Sequence, residues 1–378
     1  MRRRSFLAAA GACLATAAAS PRIRAAASPS SERFDALAEE VRAQLQAPGL
    51  VYGVVTRDGS SFGRALGVKS LGGTEPVTTN TLFHMASVTK PFVATAIAQR
   101  AERGRLRIGH RLVEVLPELR LADARLSQIT IEQVLTHSAG LPDVEDYQWN
   151  QPETDDAALR RYIGSLADRQ LLFEPGASFA YSNIGFEVLA RVIEVLDSAP
   201  FETAVRDTIL RPLGMNSSTL YYPEADKSRL AAPHVAEKGA AVRRSDVFPY
   251  NRRHAGSSTL LSSVEDMLRW LRLNLGEGTL EGTRIMAAQT ARDLRTPRPV
   301  KIPDGGTLPP GTQPALSWFV LPRGGRQIIA HGGVDLGFVS LCAWCPQQRS
   351  GVVAMANCVS EQEAGPLLRF ALRVLDEQ

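Results

Sequence analysis

A serine and a lysine stand three residues apart in the stretch MASVTKPFVA, where Ser87 and Lys90 precede Pro91. On a helix, side chains three positions apart share one face and can contact each other. Proline fits the first turn of a helix but not its interior, so Pro91 predicts a helix that begins close to Ser87. A serine hydroxyl beside an amine that can take its proton is a candidate nucleophile for acyl transfer.

Lys90 is unfavourably placed if its role is only structural. The helix dipole opposes a cation in the first turn, and the following residues, PFVATAIAQ, are apolar nearly all round. A buried lysine has a lowered pKa and can take part in proton transfer. The alternative is a serine N-cap with a surface lysine, and Ser-x-x-Lys occurs by chance about once in a chain of this length. The pair alone does not decide between these interpretations.

Two more motifs follow along the chain. Tyr181 and Asn183 form Tyr-x-Asn within PGASFAYSNIGFEV, and His331 begins His-Gly-Gly after the predicted strand RQIIA. In this order the three motifs resemble those of the serine hydrolase family of class C β-lactamases, D-alanyl-D-alanine carboxypeptidases and related esterases. The stretches ITIEQVLTHSAGLPD and HGGVDLGFVSLCAWC also resemble that family. The resemblance extends from about Glu32 to the C-terminus.

The resemblance implies roles for the first two motifs. Ser87 is the expected nucleophile and forms an acyl-enzyme. Its proton goes to Lys90 or to Tyr181, and the sequence leaves that choice open. A tyrosine titrates near 10, so it acts as a base only if cationic neighbours lower its pKa. Asn183 is expected to orient Lys90 and to contact the substrate.

The third motif implies a surface for the substrate carbonyl. The expected oxyanion hole consists of the backbone N–H groups of Ser87 and Val334. Gly332 and Gly333 let a substrate approach the strand edge closely. His331 is expected to hydrogen-bond Tyr181 or the substrate.

One departure from the family pattern bears on the substrate. The β-lactamases of this family would have Lys-Thr-Gly where this chain has His331-Gly332-Gly333. A permanent positive charge and a hydroxyl that help to hold a substrate carboxylate are therefore missing. This weakens the β-lactamase interpretation and favours an esterase or amidase, although some peptidases of the family carry histidine there.

The order of predicted elements indicates how these residues are brought together. Strand-like runs occur near both ends, between predicted terminal helices, and a helical region lies between them. The predicted fold class is α/β of the α+β type, with an antiparallel sheet flanked by helices and an inserted, mostly helical domain. The predicted domains are 28–105 with 256–378 for the sheet and 106–255 for the insertion. The resemblance implies the β-lactamase/transpeptidase-like fold.

The first 27 residues have the pattern of a signal peptide. Three arginines at positions 2–4 precede an alanine-rich apolar segment, and small residues follow at 25–27. The run RRSFL is similar to a twin-arginine export signal. We therefore expect a periplasmic or secreted protein, and an ordinary secretory signal is the alternative. Lipid attachment at Cys13 stays open.

Charge and composition limit the classes of partner that are expected for this protein. The formal charge of +4 becomes −1 when the five arginines of residues 1–27 are removed. No basic excess remains to attract nucleic acid, and no long apolar segment follows the signal to anchor the chain in a membrane. The remaining histidines lack metal-site spacing, and Cys342 and Cys345 form C-x-x-C on a predicted strand, where residues three apart face opposite sides. Neither a metal nor a cofactor is therefore expected.

Three hypotheses of function follow. The preferred one is an exported serine hydrolase that acts on small esters or amides. The second is a β-lactamase or D-alanyl-D-alanine carboxypeptidase with the same machinery, acting on β-lactams or cell-wall peptides. The third is a non-catalytic, penicillin-binding-like recognition protein. Substrate-contacting loops are expected within 140–160 and 220–258.

Overall fold

Both ends of the chain supply apolar strand-forming runs, and the structure joins them into one sheet. The computed structural model describes residues 29–238, 240–303, 308–360 and 363–378, so the predicted signal peptide lies outside the described residues. The strands are β1 (Gly49–Val55), β2 (Ser61–Gly67), β3 (Phe83–His84), β4 (His234–Ala236), β5 (Arg243–Arg244), β6 (Leu261–Ser262), β7 (Thr279–Leu280), β8 (Thr283–Arg284), β9 (Gln313–Pro314), β10 (Phe319–Arg323), β11 (Arg326–Asp335), β12 (Phe338–Cys345), β13 (Ser350–Ala356) and β14 (Val359–Ser360).

The main sheet has the strand order β2-β1-β13-β12-β11-β10-β9, and each neighbouring pair is antiparallel. Strand β1, from the N-terminal part, pairs with β13 near the C-terminus in a register that sets Leu50 opposite Ala356. Every residue of β1, β12 and β13 is buried, which explains why these strands read as continuous apolar runs. The predicted antiparallel sheet flanked by helices is confirmed.

Helices cover both faces of this sheet. They are α1 (Pro29–Gln44), α2 (Lys90–Glu102), α3 (Leu112–Val115), α4 (Ile131–Leu135), α5 (Ala158–Gly164), α6 (Asn183–Asp197), α7 (Phe201–Val205), α8 (Ala255–Ser258), α9 (Val264–Leu275), α10 (Ala288–Leu294) and α11 (Gly365–Asp376). Helices α1 and α11 pack together on one face, where Tyr52 of β1 meets Phe370 edge-on. Val51 points to the opposite face, which is covered by α9 and by the core around α2.

The region between β3 and β6 positions the second motif. Its longest helix, α6, packs against α2 and α8 and is capped by Ser182, whose Oγ accepts a hydrogen bond from the Gly185 N–H. The boundaries of the predicted inserted domain stay a prediction. No helix among the described residues is long and apolar enough to cross a membrane.

Two predicted helix boundaries require correction. In the stretch IEQVLTHSAGLPD, Gly140 and Pro142 predict a helix that ends near Gly140. The helix ends at Leu135, because His137 takes a left-handed conformation with φ +55° that breaks the helical hydrogen bonds. The helix predicted to begin close to Ser87 begins as an α-helix only at Lys90. A short 3-10 turn over Ala86–Thr89 precedes it.

Candidate active site

The nucleophile candidate Ser87 lies on a tight turn between β3 and α2. Ala86, directly before it, has φ +46°, a left-handed conformation that is unfavourable for a residue with a Cβ. The 3-10 turn then leads into α2, where Pro91 occupies the first turn as its fixed φ requires. This conformation turns Ser87 into the wall of a large cleft.

Lys90 is fully buried and all three of its ammonium donors have partners. Its Nζ lies 2.9 Å from Ser87 Oγ, 2.6 Å from Asn183 Oδ1 and 3.0 Å from the Ser257 carbonyl oxygen. The prediction that Ser87 and Lys90 contact each other is thereby confirmed. A lysine with three donors and three acceptors is held in one orientation, with its nitrogen beside the hydroxyl.

The surroundings of Lys90 lower its pKa to about 8. Burial is the main cause, because the charged amine loses hydration. Nearby carboxylates, of which Glu187 has the largest effect, partly oppose this shift. A base with a pKa close to the working pH is well suited to proton transfer, so Lys90 is able to accept the proton of Ser87.

Tyr181 reaches the same hydroxyl from the other side. The Ser87 side chain is close enough to the phenol to lower the pKa of Tyr181, and Lys90 Nζ lies 4.9 Å from the centre of the tyrosine ring. Its removal from water nevertheless raises the pKa of Tyr181 well above its ordinary value. The phenol is therefore protonated near neutral pH and is able to donate a hydrogen bond rather than to act as the initial base.

Replacing Tyr181 with phenylalanine is expected to lower kcat by about 10²-fold, because one path for the proton is lost. The ring stacks on His137 at 4.3 Å between centroids, so the fold is expected to keep its melting temperature. Tyr147→Phe is the matched control, since Tyr147 lines the same cleft but belongs to none of the three motifs. Steady-state kinetics on a chromogenic ester measure both variants, and a Tyr181→Phe rate within threefold of wild type would refute this role.

Asn183 is the first residue of α6, and hydrogen bonds from Asn183 to the Asp143 carboxylate fix the orientation of its side-chain amide. Asp143 Oδ1 accepts hydrogen bonds from both the backbone N–H and the side-chain Nδ2 of Asn183, at 2.8 and 2.9 Å. The amide oxygen is thereby turned towards Lys90. The local sequence around Asp143 does not indicate this function, which arises because the Asp143 carboxylate contacts the first residue of α6, 40 positions further along the chain.

His331 is buried and uncharged. Its Nδ1 lies 2.7 Å from the Gly332 carbonyl oxygen, which can only accept, so this nitrogen carries the proton. Nε2 is buried without a hydrogen-bond partner among the described residues. Burial, followed by the charge of Lys90, lowers the pKa of His331 to about 3. Its ring centre lies 6.5 Å from that of Tyr181, and the bond expected from His331 to Tyr181 or to the substrate stays a prediction.

Strand β11 brings the third motif against the nucleophile turn. A Cβ on Gly333 would lie 2.4 Å from the Met85 carbonyl oxygen and 3.0 Å from Ser87 N. Only glycine allows the strand to come this close. Val334 follows at the cleft wall, so the two N–H groups predicted to form the oxyanion hole belong to segments in direct contact.

The two glycines of this motif offer a matched pair of variants. Gly333→Ala is expected to push β11 from the nucleophile turn and to lower kcat/KM by about 10²-fold, as loss of an oxyanion donor does. Gly332→Ala adds the same methyl group where its nearest contact is an ordinary 3.6 Å, and is expected to retain activity within about fivefold. Ester kinetics with thermal unfolding as a folding check measure both. Equal activities of the two variants would contradict the proposed close packing.

The cleft over these residues has a volume of about 1280 Å³ and a mostly apolar wall. The described lining residues outside the three motifs include Asp143, Tyr147 and Trp149; Phe179 and Ala180; Ile302, Pro303, Leu308 and Pro309; Phe319, Leu321, Asp335 and Leu336; and Val359, Glu363 and Leu368. The expectation for 140–160 is confirmed. That for 220–258 is wrong, because the described lining residues include none from it and loops near 302 and 363 line the cleft instead.

Comparison with known proteins agrees with this geometry. The β-lactamase family model matches residues 34–376. The chain belongs to the β-lactamase family. Penicillin-binding protein 4 of Amycolatopsis lactamdurans is 32% identical over 267 residues, which cover 70% of this chain and 68% of that protein. Esterase EstB of Burkholderia gladioli is 30% identical over 272 residues, which cover 63% of this chain and 68% of the esterase.

Solved structures of the β-lactamase family confirm the fold. A class C β-lactamase superposes with a TM-score of 0.76 at 20% identity, covering 92% of this chain and 96% of that one. A β-lactamase/D-alanine carboxypeptidase from Pseudomonas syringae superposes with a TM-score of 0.75 at 22% identity, covering 92% and 99%. The predicted family is confirmed, and this chain is a β-lactamase-family serine hydrolase.

Proposed function

We propose that this β-lactamase-family chain is an exported hydrolase of esters or amides with an uncharged, largely apolar acyl group. The observation that carries the proposal is the arrangement around Ser87, whose hydroxyl lies between a buried amine and a buried phenol. The pKa of Lys90, about 8, allows a fraction of this amine to be neutral near pH 7. The apolar cleft above supplies the surface for the acyl chain.

The acylation step uses these groups in turn. Ser87 Oγ attacks the substrate carbonyl carbon while its proton passes to the neutral Lys90 Nζ. The negative charge that develops on the carbonyl oxygen is stabilised by the backbone N–H groups of Ser87 and Val334. The bond to the leaving group breaks as the Tyr181 phenol gives it a proton and regains one from Lys90. The products are an alcohol or amine and an ester on Ser87.

Deacylation repeats the sequence with water. Lys90 takes a proton from the water, directly or through the Tyr181 hydroxyl, as the water oxygen attacks the acyl carbon. The tetrahedral intermediate then releases the Ser87 oxygen, which regains the proton held by Lys90. The carboxylic acid leaves and the resting enzyme is restored.

The electrostatics of the cleft favour an uncharged acyl donor over a β-lactam or a D-alanyl peptide. Those substrates carry a carboxylate next to the scissile amide, which requires a cationic partner. His331 is neutral and Gly332 lacks a hydroxyl, so the third motif supplies neither. The described residues that line the cleft include no lysine or arginine. Lys90 lies buried behind Ser87, and its three donors are already engaged.

Comparing turnover of p-nitrophenyl butyrate with that of a chromogenic cephalosporin tests this choice. The ester is expected to have the higher kcat/KM by about 10²-fold or more, since an unpaired buried carboxylate costs several kcal/mol. Comparable and fast cephalosporin hydrolysis would instead establish a β-lactamase. Absence of both activities, with no labelling of Ser87 by a fluorophosphonate, would leave the recognition-only hypothesis.

We also propose export by the twin-arginine route, on the basis of the arginines, apolar segment and small residues within positions 1–27. Substitution of Arg3 and Arg4 by lysine is expected to abolish export while leaving the activity of the cytoplasmic protein unchanged. Fractionation of cells that express the full chain measures it. Unchanged periplasmic activity would favour the ordinary secretory signal.

A further inference from the structure

A buried histidine–carboxylate pair lies next to the site but takes no part in the proton transfers above. His84 Nε2 lies 2.7 Å from Asp335 Oδ2, and the two side chains are only 1% and 7% exposed. The partners are far apart in sequence, and the sequence motifs assign neither of them. The carboxylate can only accept, so Nε2 is the protonated nitrogen of the ring.

The position of this pair relates it to the oxyanion hole. His84 ends β3, three residues before Ser87, and Asp335 directly follows Val334 at the end of β11. The hydrogen bond therefore joins the two backbone segments that carry the two N–H donors proposed to bind the oxyanion. Its length limits how far these segments can separate.

The nucleophile turn requires such support. Ala86 holds a left-handed conformation, which persists only where surrounding contacts enforce it. Directly before Ala86, Ser340 Oγ of β12 donates a 2.6 Å hydrogen bond to the Met85 carbonyl oxygen. The chain that leads into the left-handed residue is thus tied to the sheet at two successive residues, His84 and Met85.

The surroundings of His84 make its bond to the carboxylate effective. The rings of Phe248 and Phe338 lie against the imidazole, with centroids 6.0 and 5.8 Å away. A hydrogen bond to a carboxylate is strong in such an environment, because water does not compete for it.

We propose that His84 and Asp335 are positioning residues that hold the Ser87 and Val334 N–H groups at the separation needed to bind the oxyanion. This inference rests on the proposed acyl-transfer function. It differs from a purely electrostatic role, in which the Asp335 charge would act on Lys90. A positioning role requires the hydrogen bond between His84 and Asp335, whereas an electrostatic role requires the negative charge of Asp335.

Four variants separate these roles. His84→Phe keeps an aromatic ring in the space between Phe248 and Phe338 but removes the donor. Asp335→Ala removes the acceptor, and Asp335→Asn keeps an acceptor oxygen without the charge. The double variant His84→Phe/Asp335→Ala shows whether the two effects share one cause. Each variant is assayed for ester turnover and for inhibition by an arylboronic acid, which forms a tetrahedral adduct on a catalytic serine.

His84→Phe and Asp335→Ala are each expected to lower kcat about 10- to 100-fold. The inhibition constant of the boronic acid is expected to rise by a similar factor. In His84→Phe, KM for the ester is expected to change less than threefold, because His84 is not among the described residues that line the cleft. Asp335 does line the cleft, so the comparison of kcat with KM is made on His84→Phe. The double variant is expected to be no worse than the worse single one, and Asp335→Asn to stay within about fivefold of wild type.

Wild-type kinetics in His84→Phe, additive effects in the double variant, or a loss in Asp335→Asn equal to that in Asp335→Ala would each overturn the proposal. If Asp335→Ala does not fold, His84→Phe decides alone, since its ring fills the same space. A wild-type protein without ester turnover or fluorophosphonate labelling would instead refute the underlying function, which keeps the two failures distinct.

Discussion

Replacing Lys90 with alanine is expected to lower kcat for ester hydrolysis by about 10²-fold or more. The amine lies 2.9 Å from Ser87 Oγ and has a pKa of about 8, close to neutral pH. Its loss removes the base and leaves Asn183 Oδ1 and the Ser257 carbonyl oxygen without their shared donor. Stopped or steady-state kinetics on p-nitrophenyl butyrate measure the effect.

The pH dependence of kcat/KM tests the role of Lys90 as the base more specifically than the size of the loss of kcat in Lys90→Ala. The neutral amine is the active form, so kcat/KM of the wild type is expected to rise up to a pH of about 8 and to level off above it. Lys90→Arg is the matched control, because guanidinium keeps the positive charge but does not release its proton. The Lys90→Arg variant is expected to be as inactive as Lys90→Ala, and its kcat/KM is expected not to rise near pH 8. An active arginine variant would show that charge, rather than proton transfer, is required.

Replacing Ser87 with alanine is expected to lower kcat by about 10⁴-fold or more, because no other group can form the acyl-enzyme. The hydroxyl sits on the surface of the cleft, and its removal is expected to change the melting temperature little. Ser165→Ala is a suitable control, since the hydroxyl of that exposed serine donates to the Tyr162 carbonyl oxygen and Ser165 is not among the described residues that line the cleft. Turnover within tenfold of wild type in Ser87→Ala would contradict the assignment of the nucleophile.

Local signals in the sequence predicted the parts of the fold that depend on near neighbours. Pro91 located the first turn of α2. The run Ser263-Val264-Glu265-Asp266 is a similar local signal, because a serine three residues before an acidic residue predicts a helix start. In the structure Ser263 caps α9, and its Oγ accepts a hydrogen bond from the Asp266 N–H. The three motifs resembled a known family, and this selected the antiparallel sheet and the residues around Ser87.

The contacts that orient the site could not be predicted because they join distant segments. The Ser257 carbonyl that binds Lys90 is a backbone group, which no side-chain pattern reveals. Asp143 lies in a stretch whose acidic and aromatic residues predict only a loop at the rim of the site, although it orients Asn183. The left-handed conformation of His137, which ends α4 early, serves the stacking of its ring on Tyr181 and has no local sequence signal.

The central claim is that Ser87 becomes covalently acylated, and mass spectrometry of the labelled protein tests it most directly. The mature wild type is treated with a fluorophosphonate, digested, and searched for the modified peptide, with Ser87→Ala treated in parallel. We expect one equivalent of label on Ser87 in the wild type and none in the Ser87→Ala variant. Label on another residue, such as Tyr181, or equal labelling of both proteins would contradict it.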